Sequence, residues 1–323
     1  MKNEELLIKS IEENKVEKVK FLLNVEKVDP SVNSNEAIRK AAGNGYYEIV
    51  KLLLQDKRVD PSVYRNYAIG VASMHGYYNV VKLLLQDERV DPSDNDEFAL
   101  LCASEFDHYG VVELLLKDER VCDVPRAIEK AAKNGNYRVI ELLLKDKSYR
   151  IFECGNYAIR KAVKNGHLKV IELFLKDDRL STFDYSYIIK KAIKYGYVEI
   201  VELLLNDERV DPTTEDNYAI KKAAKNGCLK VVKLLLKDER VDPTVDNNYA
   251  IKKAAKNGYF EIVELLIQDS RVIKNLSYYF IKKHNLTNIL LKNLNLKDEK
   301  ELENYFKIIW KYFQNSIFFI IFV

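Results

Sequence analysis

The apolar positions of this chain recur with a period close to 31 residues. Each copy has an Ala-rich stretch, a glycine and then a run rich in Val, Ile and Leu. The glycines, with one aspartate in the series, are Gly45, Gly76, Asp107, Gly135, Gly166, Gly196, Gly227 and Gly258. Successive members are 31, 31, 28, 31, 30, 31 and 31 residues apart. A fixed period of this length is typical of repeat architectures.

The first half of each copy predicts an amphipathic helix. In the copy around Gly227, Ala and Ile recur at helical spacing from Ala219 to Ala224. Asn217 lies just ahead of them and is a candidate N-cap. Gly227 is expected to end the helix, because the residue beyond the last turn often needs a positive φ, which glycine adopts most easily. Asp107, which replaces the glycine in one copy, is expected to adopt the same left-handed conformation.

The second half of each copy predicts a shorter, strongly apolar helix, such as Val231 to Leu236. Pro243 then ends helical structure, because proline lacks an N–H and restricts the residue before it. One such unit buries too little surface to be stable alone, but stacked units share a continuous core. We therefore predict an all-α solenoid of stacked helix-turn-helix units joined by short loops. Its expected parts are an N-terminal capping half-repeat at 1–28, eight repeats at 29–272, and a degenerate ninth repeat with a C-terminal cap or tail at 273–323.

This pattern resembles the ankyrin repeat over roughly residues 4–292. The resemblance rests on the Ala-Ala-x-x-Gly stretch, the Val-Val-x-Leu-Leu-Leu run and the period. Where that family has Thr-Pro-Leu-His, this chain has Tyr-Ala-Ile-Lys at 218–221 or close variants, so the family's Thr and His hydrogen bonds between repeats are not expected. The Asp-Pro-Ser/Thr and Asn-Tyr-Ala-Ile-Lys/Arg-Lys-Ala motifs look most like ankyrin proteins of giant DNA viruses of amoebae. The resemblance implies a non-enzymatic scaffold that binds another protein through its concave groove and loop tips.

Composition narrows the classes of function. The 52 basic and 49 acidic residues give a net charge of +3, so the overall charge does not indicate nucleic acid or an anionic membrane as the partner. The N-terminal segment MKNEELLIKS lacks the apolar run of a secretory signal, so we expect an intracellular protein, in the host cytoplasm if it is viral. The spacing of Cys102, Cys122, Cys154 and Cys228 fits neither a disulfide scaffold nor paired metal ligands, which favours free thiols.

No motif in the chain indicates catalysis. The histidines share no local motif with a cysteine or a carboxylate; they are His75, His108, His167 and His284. Seven of the eleven glycines belong to the repeat turns, and the others form no phosphate-binding motif. We therefore expect no enzymatic activity, no cofactor and no metal.

Basic residues recur on the predicted first helices of the C-terminal half. Residues three or four apart share a helix face, so these side chains predict a positive strip. The candidate partner-binding residues, here called the lysine strip, are Lys161, Lys164, Lys191, Lys194, Lys222, Lys225, Lys253 and Lys256. One interpretation is a solvated face, opposed by acidic loops at Glu215 and Asp246 and by the Asp-Glu pairs at 207–208 and 238–239. The other is a site for an acidic protein surface. Nucleic acid is less favoured, because arginine is scarce on the strip and aromatic residues do not interleave.

The segment 305–323, YFKIIWKYFQNSIFFIIFV, is outside the repeat pattern. It is interpreted as a helix that caps the last repeat, because solenoids need their end faces covered. Two alternatives stay open, an adaptor of the ubiquitin-ligase type and a membrane-attached scaffold, both acting through this tail. Lys307 and Lys311 interrupt its apolar stretch, which disfavours a spanning helix. We expect a monomer.

Overall fold

A computed structural model describes residues 3–145, 152–180 and 183–309, with only the backbone at 152–154 and 180. The described residues form helices joined by turns and short loops, without a β-strand. They belong to two compact units, Met1–Phe183 and Asp184–Val323. The prediction of an all-α solenoid is confirmed.

In the first unit, a longer first helix alternates with a shorter second helix. The helices are α1 (Asn3–Glu12), α2 (Val16–Asn24), α3 (Val32–Gly43), α4 (Tyr47–Leu54), α5 (Val63–Met74), α6 (Tyr78–Leu84), α7 (Asp94–Glu105), α8 (Tyr109–Leu115), α9 (Val124–Asn134), α10 (Tyr137–Leu143), α11 (Phe152–Asn165) and α12 (Leu168–Lys176), followed by a 3-10 turn at Asp178–Leu180. The odd-numbered helices stack on one another in chain order, and so do the even-numbered helices.

The second unit continues the same alternation. Its helices are α13 (Tyr185–Tyr195), α14 (Val198–Leu205), α15 (Thr214–Asn226), α16 (Leu229–Leu235), α17 (Val245–Lys256), α18 (Phe260–Ile267), α19 (Ser270–Lys274), α20 (Tyr278–Lys283) and α21 (Thr287–Leu294). Helix α15 packs between α13 and α17, and α16 packs between α14 and α18. A further helical segment at 299–309 buries Leu302 and Phe306, and the ring centroid of Phe306 lies 6.5 Å from that of Tyr278.

A short left-handed segment precedes the right-handed part of five first helices among the described residues. Three consecutive residues have φ between 52° and 61° at 33–35, 64–66, 95–97, 215–217 and 246–248. Left-handed backbone is unfavourable for L-residues, and Asn and Asp tolerate it best. The last residue of each segment is buried, and it is Asn in four segments and Glu97 in the other.

These buried asparagines join one repeat to the next. The side-chain oxygen of Asn66 accepts the N–H of Asp91 at 2.8 Å, and that of Asn217 accepts the N–H of Asp242 at 2.9 Å. The prediction that Asn217 caps its own helix is therefore wrong, because its φ is 55° and its amide reaches the following loop. Such bonds satisfy backbone groups that would otherwise be buried without a partner.

One junction in the first unit is built differently. Helix α9 begins at Val124 without a left-handed segment, and Asp123 caps it by accepting the N–H of Arg126 at 3.3 Å. The side chain of Glu97 replaces Asn here and accepts the N–H groups of both Cys122 and Asp123, each at 2.7 Å. The longer side chain thus matches a loop that presents two donors.

The turn after each first helix confirms the role predicted for the glycine series. The seven glycines of the series have φ between 73° and 82°, and Asp107 has φ 62°. At Gly76 a Cβ atom would lie 2.4 Å from the ring of His108, whose Nε2 is 2.9 Å from the carbonyl oxygen of Met74. Glycine is needed there for two reasons, the backbone conformation and the close approach of the next repeat.

Candidate partner-binding surface

The residues of the lysine strip lie on the second half of the first helices. In α15, Ala223 and Ala224 are fully buried, so Lys222 and Lys225 on either side of them face outward. Within each pair the first lysine is partly buried and the second is exposed. The pairs are Lys161 and Lys164 on α11 in the first unit, then Lys191 and Lys194 on α13, Lys222 and Lys225 on α15, and Lys253 and Lys256 on α17 in the second unit.

Tyrosines one turn earlier hold the first lysine of several pairs. The ammonium nitrogen of Lys191 lies 5.1 Å from the ring centroid of Tyr187, and that of Lys253 lies 5.2 Å from the ring of Tyr249. In α11, the nitrogen of Lys161 is 4.6 Å from the ring of Tyr157. A cation over an aromatic face keeps its charge and its N–H donors, so this contact orients the lysine without neutralising it.

Two acidic loop residues of the second unit bind the lysine one position before a strip residue. Glu215 forms an ion pair with Lys190, and the carboxylate of Asp246 lies 2.5 Å from the ammonium of Lys221. Among the described residues, the ammonium group of Lys225 makes no hydrogen bond or ion pair. The acidic loops that were expected to oppose the strip therefore bind Lys190 and Lys221, one position before it.

The aspartates of the Asp-Glu pairs are engaged elsewhere. Asp207 binds Arg209 at 2.6 Å and Asp238 binds Arg240 at 2.7 Å. Hydrogen bonds from these arginine side chains hold the pKa of both aspartates below the usual range. These aspartates, which were expected to oppose the lysine strip, pair with arginine instead.

Lysines at the helix positions of the strip also occur on helices outside the predicted set, in each unit. In the first unit, Lys130 and Lys133 on α9 occupy the same helix positions, but Glu105 lies 2.9 Å from Lys130 and 3.7 Å from Lys133. A single glutamate thus compensates the α9 lysines, which the sequence pattern alone did not distinguish from the others.

In the second unit, α20 also has lysines at the positions of the strip pattern. Glu299 pairs with Lys282, as Glu215 does with Lys190, and the ammonium of Lys283 lies 5.8 Å from the ring of Tyr279. Burial, together with the charges of Lys283 and Lys256, lowers the pKa of His284 at the end of this helix. The Tyr-Phe-Ile-Lys-Lys sequence at 279–283 repeats Tyr-Ala-Ile-Lys-Lys and could have revealed this extension.

The histidines take structural positions at the turns. Nε2 of His167 lies 3.0 Å from the carbonyl oxygen of Lys133, as His108 does with Met74, and each ring covers the glycine turn of the preceding repeat. Within 3–145, 152–180 and 183–309, no group of three His, Cys, Asp or Glu side chains is placed to hold a metal ion. Cys102, Cys122 and Cys228 are free thiols, and burial raises the pKa of Cys102 to about 11, which makes it unreactive.

Most of the C-terminal tail lies outside the described residues. Of 305–323, the structure describes 305–309, which extend the helical segment against α20. Residues 310–323, including Trp310, are not described, so the capping, adaptor and membrane interpretations of the tail stay predictions. In the part of the chain that the structure covers, every helix is too short or too polar to cross a membrane.

Stacked helical hairpins that carry varied side chains on one shared face define a repeat-type binding scaffold. A family model for ankyrin repeats matches the chain in three copies, at 41–126, 128–216 and 189–278. The chain belongs to the ankyrin repeat family. Its repeats are generally protein–protein interaction modules and are typically non-enzymatic. A comparison with curated proteins found no match.

Proposed function

We propose that this protein is a non-enzymatic scaffold that holds a partner protein by acidic groups laid against the strip lysines of each unit. In this proposal, the face of the first helices that carries the strip corresponds to the concave groove of ankyrin repeats, with the loop tips beside it. The resemblance to giant-virus ankyrin proteins extends the proposal to an intracellular monomer in the host cytoplasm. The division into a half-repeat at 1–28, eight repeats at 29–272 and a terminal part at 273–323 is part of the same proposal.

One observation supports this function above the others. The chain supplies a carboxylate to Lys190 and to Lys221, but it supplies none to Lys222 or Lys225 among the described residues. Charged groups that one face leaves uncompensated attract a complementary surface and steer its approach. Lysines without a carboxylate partner recur in successive repeats of the second unit. A partner with carboxylates along its length therefore fits this face.

Reversal of four strip charges tests the proposal. We expect the variant Lys222→Glu, Lys225→Glu, Lys253→Glu and Lys256→Glu to lose its specific partners in affinity capture from host-cell lysate, because each new carboxylate repels an acidic surface. Mass spectrometry of the captured proteins is the measurement.

The matched control reverses four exposed lysines away from the strip in the same unit, at Lys230, Lys233, Lys237 and Lys274. It makes the same change in net charge and should retain the partners. Partners that survive in the strip variant would exclude the strip as their site. Captured nucleic acid in place of protein, removed by nuclease treatment, would favour the nucleic-acid alternative.

A further inference from the structure

In the second unit, the lysines of the strip form two parallel rows across the first helices. Two carboxylates lie beside these rows. One row is Lys191, Lys222 and Lys253, and the other is Lys194, Lys225 and Lys256. Lysines three apart on one helix are neighbours, with Cβ atoms about 5–6 Å apart. Glu215 and Asp246, bound to the preceding lysines, lie along one side of these rows. A partner must therefore present a narrow negative face, because a wide one would meet these carboxylates.

The stacking of first helices sets the distance between successive lysine pairs. Helices α13, α15 and α17 pack side by side, and packed helices lie about 8–10 Å apart. In an α-helix, residues seven apart lie on one face about 10.5 Å apart, which is close to this step. Residues on one face of a β-strand are separated by about 6.6 Å, which does not match it.

An extended polyproline II segment also has a suitable repeat, about 9.3 Å for three residues. It presents one side chain per turn on a given face, whereas each lysine pair offers two cations. A helix with acidic residues at positions i and i+3 or i+4 of each heptad presents two carboxylates per step. The helix therefore fits the repeat length of the lysine pattern and the number of cations at each step.

We propose that the partner segment is an acidic α-helix, with carboxylates recurring every seven residues and two per heptad, lying along the strip of the second unit. This inference rests on the proposed function and specifies the secondary structure and register of the partner. Cation–π contacts hold two lysines of the first row in place for it, Lys191 with Tyr187 and Lys253 with Tyr249.

Synthetic peptides of about three heptads test the register on the complete chain. The first peptide places six glutamates at the first and fourth positions of each heptad in an Ala/Gln helical background. The second has the same composition, with the glutamates spread around the helix. We expect the first to bind about tenfold more tightly by fluorescence anisotropy at low ionic strength, because several weak ion pairs form together only in that peptide.

Two variants of equal charge locate the binding. The variant Lys194→Glu, Lys225→Glu and Lys256→Glu should lose the preference for the first peptide, whereas Lys230→Glu, Lys233→Glu and Lys237→Glu should keep it. Circular dichroism checks that both remain folded. A version of the first peptide with a central proline should bind weakly, since proline breaks its helix.

Equal affinities for the two helical peptides, absence of binding by both, or unchanged binding of the proline version would each overturn the proposed helix and register. None of these results bears on whether partners from lysate depend on the strip. The proposed function fails only when the four-lysine variant retains those partners, so the two failures are distinguishable.

Discussion

At the scale of single residues, buried asparagines at the start of four described first helices bond to the following repeat, in a chain that lacks the Thr and His of the ankyrin pattern. Asn217 combines two properties that few residues share. It accepts a left-handed backbone, and its side chain reaches the N–H of Asp242 in the next loop. Its burial means that loss of this bond leaves a donor without a partner.

Two substitutions at Asn217 separate these properties. Asn217→Gly keeps the backbone conformation and removes the acceptor, so we expect a loss of about 1–3 kcal/mol in the free energy of unfolding. Asn217→Ala should lose about 1 kcal/mol more, because alanine resists positive φ. Urea unfolding followed by circular dichroism is the measurement. The exposed Asn226 on the same helix provides the control, since Asn226→Ala should change little. Equal stabilities of the Gly and Ala variants would contradict the backbone argument.

The sequence predicted the backbone conformation of single residues better than it predicted their hydrogen-bond partners. The left-handed conformation of Gly227 and of Asp107 follows from local rules, because both residues end a helix. The position of Asn217 immediately before a helix also looks local, and it suggested an N-cap. Its actual partner is 25 residues away, and no local rule distinguishes a side chain that turns back to its own helix from one that reaches the next repeat.

At the scale of helices and turns, the contact between neighbouring turns depends on one residue of the following repeat. That residue comes directly after the left-handed residue of its own turn, as His108 comes after Asp107. The ring of His108 covers Gly76, whereas an added Cβ at Gly258 would meet no atom within 4 Å. Both glycines have a positive φ, 73° and 79°, so they differ mainly in what lies above them.

This difference yields a paired prediction. Gly258→Ala should destabilise the fold by about 1 kcal/mol through backbone strain alone. Gly76→Ala should destabilise it more, because the new methyl group overlaps a ring that is hydrogen-bonded to Met74. Thermal unfolding of the two variants gives the comparison. A greater loss in Gly258→Ala would show that the ring yields without a penalty.

The lysine positions were predictable at this scale because they follow the helical period, but their partners were not. Lys130 and Lys222 occupy the same position of their helices, and only Lys130 faces a glutamate, Glu105, from the helix before it. Such a pairing depends on one residue of the neighbouring repeat. The repeat pattern itself carries no information about it.

At the scale of the whole molecule, aspartate–arginine pairs recur in both units where second helices end. Each aspartate accepts hydrogen bonds from the backbone and the guanidinium of the arginine two residues later. The pairs are Asp56–Arg58, Asp87–Arg89, Asp118–Arg120, Asp177–Arg179, Asp207–Arg209, Asp238–Arg240 and Asp269–Arg271. Some of these arginines also reach the preceding repeat: Arg89 donates to the carbonyl oxygen of Val59 at 2.7 Å, and Arg179 donates to that of Leu144 at 2.9 Å.

These pairs predict a pH-dependent contribution to stability. The side-chain hydrogen bond from Arg240 lowers the pKa of Asp238 below its ordinary value of 3.8. A depressed folded-state pKa stabilises the protein above the unfolded-state pKa, and this stabilisation is lost as the pH falls through the folded-state pKa. Asp238→Asn should therefore be less stable than the natural chain at about pH 7 and pH 5, and the gap should narrow at about pH 3.

Urea unfolding at the three pH values measures that gap. Glu239→Gln is the matched control, because Glu239 is exposed and makes no ion pair among the described residues. A gap that stays constant at low pH would show that Asp238 acts through its shape and not through its charge.

The junction at Glu97 has a consequence for how such a chain can change by duplication and loss. The loop that presents the N–H groups of Cys122 and Asp123 is matched by a glutamate, whereas Asn66 serves a loop that presents one. Recombination that placed an asparagine-bearing unit before Cys122 would replace Glu97 by the shorter side chain of asparagine. That side chain would then face the N–H groups of both Cys122 and Asp123. We therefore expect the segments on either side of this junction to be inherited together, while a loop that presents a single N–H, as at Asp91 or Asp242, accepts a unit that carries asparagine.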